Sequence, residues 1–236
     1  MTKTAFLLLS LSAACTPAFE ASTASSSSNA ASSAPSLGAA ASFAVLGAST
    51  VTCAGGSTIT GDVGVSPSTG MTGFVSDCHV TGALHPGDDA AAQAHGDLGI
   101  AYRALSTYAC LHDLTGQDLG GMTLAPGVYC FSSSSGLTGN LTLDGGGDPN
   151  AFWIFQIGST ITTATNSSVI MAGAGSPGNV FWQVGSSATI GTGTAFQGNV
   201  LAFASITLTN GSSVVGRAMA VNAAVTMDNN VVSRSN

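Results

Sequence analysis

The chain has 236 residues, of which 44% are hydrophobic and only 6% charged, and a formal net charge of −7. Its basic residues are Lys3, Arg103, Arg217 and Arg234, too few and too scattered to neutralise phosphates, which argues against nucleic acid or an anionic membrane as partner. The length allows one domain of about 200 residues once the ends are set aside, and 31 glycines with abundant Ser, Thr and Ala suit tight turns and small side chains.

Residues 1–18 read as an export signal. Lys3 lies in a short polar start, and residues 5–14 (AFLLLSLSAA) form an apolar stretch too short to span a bilayer. The protein is therefore expected to be secreted or extracellular. Ala13-Ala14-Cys15 offers an alternative, a lipoprotein signal that would anchor the chain at the cell surface through Cys15. Residues 19–36 are rich in Ser and Ala without periodicity and are expected to form a disordered linker. Residues 37–236 are expected to form the folded domain.

Within that domain, residues 39–52 (AAASFAVLGASTVT) and 58–65 (TITGDVGV) show strand patterns, the second ended by Ser66-Pro67-Ser68. Four cysteines remain after Cys15: Cys53, Cys78, Cys110 and Cys130. An even number in an exported chain implies two disulfides with three possible connectivities, and the shorter loops favour Cys53–Cys78 with Cys110–Cys130. The absence of CxxC or HxxxH pairs argues against a metal site. Around residues 87–110 the pattern switches to a helix. Asp88 and Asp89 suit its first turn, and Ala91, Ala94, Leu98, Ala101, Leu105 and Tyr108 form an apolar stripe. Residues 122–131 and 137–144 return to strands.

From residue 152 onward the chain repeats itself. Residues 155–164, 182–191, 201–209 and 219–228 superpose so that Thr162, Thr189, Thr207 and Thr226 share one position, each flanked by apolar or small residues. Alternating side chains of a strand point to opposite faces, so the Thr residues point outward and their neighbours into a core. A repeat of roughly 20 residues suggests one solenoid coil each. By the same pattern Thr52 and Thr142 are expected to extend the column. One row beside it is Asn140, Thr160, Ser187, Ser205 and Ala224; the other is Asp144, Ala164, Gly191, Thr209 and Asp228. Segments such as Trp153-Ile154-Phe155-Gln156-Ile157 and Val180-Phe181-Trp182-Gln183-Val184 are apolar on both alternations, which requires burial on both sides. The single helix is the expected cover for that face, and the Thr face is expected to be open to water. A third face, around residues 168–171, 195–198 and 213–216, is less regular.

Many short stretches, in order, resemble the large ice-binding protein family of cold-adapted microbes. They include Phe43-Ala44-Val45-Leu46, Ile59-Thr60-Gly61-Asp62-Val63-Gly64-Val65-Ser66-Pro67, Leu124-Ala125-Pro126-Gly127-Val128-Tyr129, Phe152-Trp153-Ile154-Phe155-Gln156-Ile157, Asn179-Val180-Phe181-Trp182-Gln183-Val184-Gly185 and Gly216-Arg217-Ala218-Met219-Ala220. The match covers about residues 37–232. The resemblance implies a mostly β fold, a right-handed discontinuous β-solenoid of triangular section with one long α-helix packed alongside, and the N-terminal coil among later ones. It also implies adsorption to ice through a flat Thr/Ser-rich β-face away from the helix.

The expected partner is an ice crystal surface, met by a monomer with no cofactor, no small-molecule substrate and no catalytic residue. The candidate contact set is Thr52, Asn140, Thr142, Thr160, Thr162, Ser187, Thr189, Ser205, Thr207, Thr209, Thr226 and Asp228. The alternative is a cell-surface adhesin or glycan-binding solenoid module. A pectin-type lyase is a weaker reading, because the acidic residues are scattered and lack basic partners. His79, His85, His95 and His112 are read as loop or helix-surface residues. Sequons begin at Asn140, Asn166 and Asn210, and a glycan at Asn140 is expected to obstruct the Thr column.

Overall fold

The computed structural model describes residues 1–2 and 34–235. The expected signal peptide, Cys15 and nearly all of the expected linker lie outside the described residues. Among these residues, strands form two sheets, of fifteen and seven strands, beside one α-helix, Asp89–Leu105. The pairings are parallel. Parallel pairing follows from the winding: each coil passes over three faces and meets the next coil running the same way. Trp153–Ile157, Ile161–Thr163 and Ser168–Ala172 form one such coil, and Val180–Val184, Ala188–Ile190 and the start of Ala195–Ala202 form the next.

Two of the faces merge into the fifteen-stranded sheet, because Ala195–Ala202 and Ser213–Ala220 run continuously around a corner. Gly198 and Gly216 pair at that corner with φ of 113° and 146°. A Cβ on Gly216 would strike the Gly198 carbonyl, so both the bend and the close approach depend on glycine. Residues 58–65, read as one strand, are likewise two, Ser57–Thr60 and Asp62–Val65, with a corner at Gly61, φ 129°.

The coil order is discontinuous. Phe43–Gly47 pairs with Ser213–Ala220, Thr50–Ala54 with Val225–Asp228, and Ser57–Thr60 with Val231–Ser233, so the first coil stacks on the last. Asp62–Val65, Gly70–Thr72 and Cys78–Val80 stack beyond it. The chain must then return to the far end of the stack, where His112–Asp113 pairs with Gly127–Phe131. The helix makes that return. Its 17 residues span about 26 Å at 1.5 Å per residue, or five to six inter-strand spacings of about 4.8 Å.

The helix buries Ala91, Ala94, Leu98, Ala101 and Leu105. Ala94, Leu98, Ala101 and Leu105 pack on Val128, Ile154, Phe181, Leu201, Met219 and Leu46, the outward row of the doubly apolar face. Asp88 caps its start by accepting from the Ala91 N–H at 2.9 Å. The helix is shorter than expected, ending at Leu105. Ser106 and Thr107 hydroxyls bond back to the Arg103 and Ala104 carbonyls, and the Gln156 Nε2 takes the Leu105 and Tyr108 carbonyls. Beyond them a disulfide ties Cys110 to Cys130, and a second joins Cys53 to Cys78.

Inside the solenoid, side chains at equal positions of successive coils stack. His112, Tyr129, Phe155 and Trp182 occupy one register row and form a run of rings 3.9–5.5 Å apart, with His112 at its exposed end; at the other end Phe196, from the third face, packs against Trp182 at 4.9 Å, tilted by 46°. At the corner between helix-covered and third faces, Arg217 is buried and, among the described residues, pairs with no carboxylate. Its guanidinium donates to the Ala41 and Ser235 carbonyls and to Asn199 Oδ1, so one side chain fastens both ends of the described domain. Burial, with Arg234 nearby, lowers its pKa to about 10, leaving it charged at neutral pH.

Candidate functional site

Among the described residues, no helix packs on the seven-stranded sheet. Its order is Ser135–Leu137, Ile161–Thr163, Ala188–Ile190, Ile206–Leu208, Val225–Asp228, Thr50–Ala54 and Gly70–Thr72. The registers Gly136↔Thr162↔Thr189↔Thr207↔Thr226↔Thr52↔Thr72 form a single row. All the Thr members are exposed or half-buried, while Ile161, Ala188, Ile206, Val225 and Val51 beside them are buried. At the strand spacing of about 4.8 Å, the row presents six threonines in line.

The rows on either side differ in how their hydroxyls are used. Upstream lie Ser134, Thr160, Ser187, Ser205, Ala224 and Thr50. There Thr160 Oγ1 donates to Ser134 Oγ at 2.9 Å, and Ser187 and Ser205 share a hydrogen bond of 3.0 Å. Downstream lie Ala164, Gly191, Thr209, Asp228 and Ala54. There Thr209 Oγ1 donates to the Ile190 carbonyl at 2.8 Å, and Asn210 Nδ2 donates to Asp228 Oδ2 at 3.3 Å. Among the described residues the hydroxyls of Thr52, Thr72, Thr162, Thr189, Thr207 and Thr226 make no hydrogen bond to protein. The flanks are knitted to the solenoid, and the central row keeps its donors and acceptors for whatever lies outside. Asp228 is the one charged residue in the three rows.

Two expectations need correction. Thr142 does not extend the Thr row: Asn140–Asp144 belongs to the third face, where Thr142 pairs with Thr123 and Ile170, and Asn140 pairs with Ser168. Asp144 leaves the Thr face with them. The position opposite Thr162 is filled by Gly136, because the turn at Thr138-Gly139 comes before the Leu-Thr-Leu alternation rather than after it. A glycan at Asn140 would therefore not sit on this row, whereas Asn210 adjoins Thr209 at its edge. Conversely Thr72, Thr50 and Ser134 were not singled out in the sequence. Met71-Thr72-Gly73 has the apolar–Thr–small pattern, but its coil lies out of chain order and falls outside any tandem alignment.

The histidines lie apart from this face and from one another. His85 Nδ1 meets Asp88 at 2.8 Å, His95 Nε2 meets the Val221 carbonyl at 2.8 Å, and His112 stacks on Tyr129. The third face carries exposed Ile170, Val215 and Val231 and lacks a threonine row in register.

Comparison with known proteins agrees with this geometry. A family model described as Ice-binding-like matches residues 45–233. An ice-binding protein of Nostoc sp. (strain HG1) is 58% identical over 157 residues, 66% of this chain and 58% of that protein. Ice-binding protein 1 of Shewanella frigidimarina (strain NCIMB 400) is 38% identical over 149 residues, 61% of this chain and 17% of that protein. The chain thus spans less than two thirds of these curated relatives. Among solved structures, the ice-binding protein of the Antarctic ascomycete Antarctomyces psychrotrophicus superposes with a TM-score of 0.84 at 41% identity, over 86% of this chain and all of that one. The DUF3494 domain of Shewanella frigidimarina ice-binding protein 1 gives 0.80 at 31% identity, over 86% of this chain and 98% of that one. Nothing in these comparisons supports the adhesin or glycan-binding alternative. With the solenoid, the helix and the matched segment in agreement, the chain belongs to the Ice-binding-like family.

Proposed function

We propose that this protein adsorbs to ice through its Thr face and so inhibits ice growth and recrystallisation, acting as a secreted monomer without cofactor or catalysis. The observation that carries the reading is the row of Thr162, Thr189, Thr207, Thr226, Thr52 and Thr72, in register and with hydroxyls that bond to none of the described residues. Threonine is stiff at χ1, and the coils beneath are fixed by parallel ladders, so little entropy is lost when the row meets a solid. The methyl groups hold water in the gaps between coils and the hydroxyls anchor it, in an arrangement that merges with an ice surface. Many weak contacts in register make desorption slow. The ice front then curves between bound molecules, which opposes further growth. The scarcity of charge on the face supports this, since strongly hydrated groups would disorder the water layer. Thr209, Ser187, Ser205, Thr160 and Asp228 form its rim.

The test is thermal hysteresis with crystal habit recorded. A gap between melting and growth temperatures with faceted crystals is the expected result. Round crystals and no gap at high protein concentration would refute ice adsorption and leave only the fold.

A further inference from the structure

The Thr row is built from two pieces of chain that are not consecutive. Thr162 to Thr226 lie on successive C-terminal coils, and Thr52 and Thr72 lie on N-terminal coils stacked after them. At this seam no turn connects the neighbouring strands, so the register of Thr52 against Thr226 rests on non-covalent contacts.

Asn230 sits at that seam, 1% exposed, directly under the downstream edge of the Thr face. Every polar group it has is engaged. Its Nδ2 donates to the Thr209 carbonyl at 2.8 Å and to Ser212 Oγ at 2.9 Å, with the Ser212 carbonyl at 3.2 Å, all on the preceding coil. Its Oδ1 accepts from the Asp228 N–H of its own coil. Its backbone N–H donates to Ser57 Oγ at 2.9 Å and its carbonyl accepts from the Thr58 N–H at 2.8 Å, both on the N-terminal coil. Ser57 Oγ in turn donates to the Ala54 carbonyl, which also accepts from the Asn229 N–H at 2.9 Å. Gly55 allows the approach: a Cβ there would lie 2.5 Å from Asp228 Oδ1 and 2.7 Å from the Asn229 nitrogen. One residue thus touches three coils at the place where the row changes chain segment.

We infer that Asn230 is a positioning residue for the Thr face: its side chain fixes its own backbone to the preceding coil, and that backbone, through the bonds to Ser57 and Thr58, sets the register between Thr226 and Thr52 so that six threonines act as one array. The inference rests on the Thr face being the ice-contacting surface. It is tested with Asn230→Ala, and in parallel Asn230→Asp, which keeps the acceptor for Asp228 N–H and removes both side-chain donors. Thr52→Tyr and Thr189→Tyr are each made in the native and the Asn230 backgrounds. Hysteresis is compared at equal folded concentration, with folding followed by circular dichroism.

The Asn230 variants are expected to lose hysteresis several-fold while folded. Thr52→Tyr is expected to cost strongly in the native background and little in theirs, a coupling that loss of stability alone does not produce. Thr189→Tyr is expected to cost the same factor in both. Native hysteresis in the Asn230 variants, or an equal cost of Thr52→Tyr in both backgrounds, overturns the positioning role and leaves the Thr face standing. A harmless Thr189→Tyr in the native background overturns the face reading, and the positioning role with it.

Discussion

Phe155 and Trp182 stack face to face, with ring centroids 3.9 Å apart and planes 8° from parallel. They do so because they occupy the same inward position of consecutive coils, paired in register. The solenoid repeats not only strands but contacts, and each aromatic ring becomes the floor for the next. Both side chains are fully buried; the stack continues to Tyr129 on one side and on the other meets Phe196 of the third face, tilted by 46°.

Trp182→Ala therefore removes a ring from the middle of a column that cannot close up without shifting whole coils. A loss of about 3–5 kcal/mol is expected from transfer and cavity effects together. Denaturant unfolding measures it. A loss below about 1 kcal/mol would mean that the coils relax to fill the space.

Thr142 and Thr207 make a matched pair for locating the active face. Both are half-buried strand threonines between buried leucine or isoleucine neighbours, but they lie on different sheets. Thr207→Tyr is expected to reduce hysteresis strongly and Thr142→Tyr to leave it unchanged. Melting temperatures of both are expected to stay near the native value, as for surface substitutions within about 0.5 kcal/mol. The reverse pattern of hysteresis would move the contact surface to the third face.

Ser135 is a local flaw in the core. It occupies the inward row with Ile161 and Ala188, is 4% exposed, and its hydroxyl has no hydrogen-bond partner among the described residues. An unmet buried hydroxyl is a net cost, so Ser135→Ala is expected to stabilise by about 1 kcal/mol without changing hysteresis. A lower melting temperature would show that the hydroxyl does find a partner.

Acid should destabilise the fold through a few carboxylates. Asp88 is held below the ordinary value by the Ala91 N–H and then His85, and Asp113 by the Thr115 hydroxyl and N–H. Burial raises Asp118, but bonds from the Gly120 and Thr138 N–H groups and the Thr138 hydroxyl outweigh it, and the net shift is downward. With folded values below the unfolded value of 3.8, their stabilisation is complete above about pH 5 and is lost as pH falls through the folded values. The melting temperature is expected to be level from pH 7 to about pH 5 and to drop below about pH 4. A decline already under way at pH 6 would show that groups other than these carboxylates govern the acid response.

Much of this arrangement was legible in the residues. The doubly apolar strands required a cover, and the stripe Ala91, Ala94, Leu98, Ala101 and Leu105 is that cover. The Thr positions of four tandem coils could be aligned because each sits between two buried residues. Thr142 misled for the same reason: Leu141-Thr142-Leu143 alternates identically whichever face it lies on, and only pairing with Ile170 decides. Thr72 was missed because its neighbour in space, Thr52, belongs to a coil whose other neighbour comes from the opposite end of the sequence. Alternation reports which way a side chain points; it does not report which coil comes next.

The stacking of the first coil on the last also sets an order of events during synthesis. Thr50–Ala54 leaves the ribosome early, yet one of its two partner strands, Val225–Asp228, is among the last to appear. Until then the early strands present an unpaired edge, the feature that makes non-local parallel sheets slow to fold and prone to aggregate. A chain kept unfolded through translocation and released whole avoids that interval. A chain cut short by its final coil would lose more than its tail, since the N-terminal coils would lose the strands on which they stack.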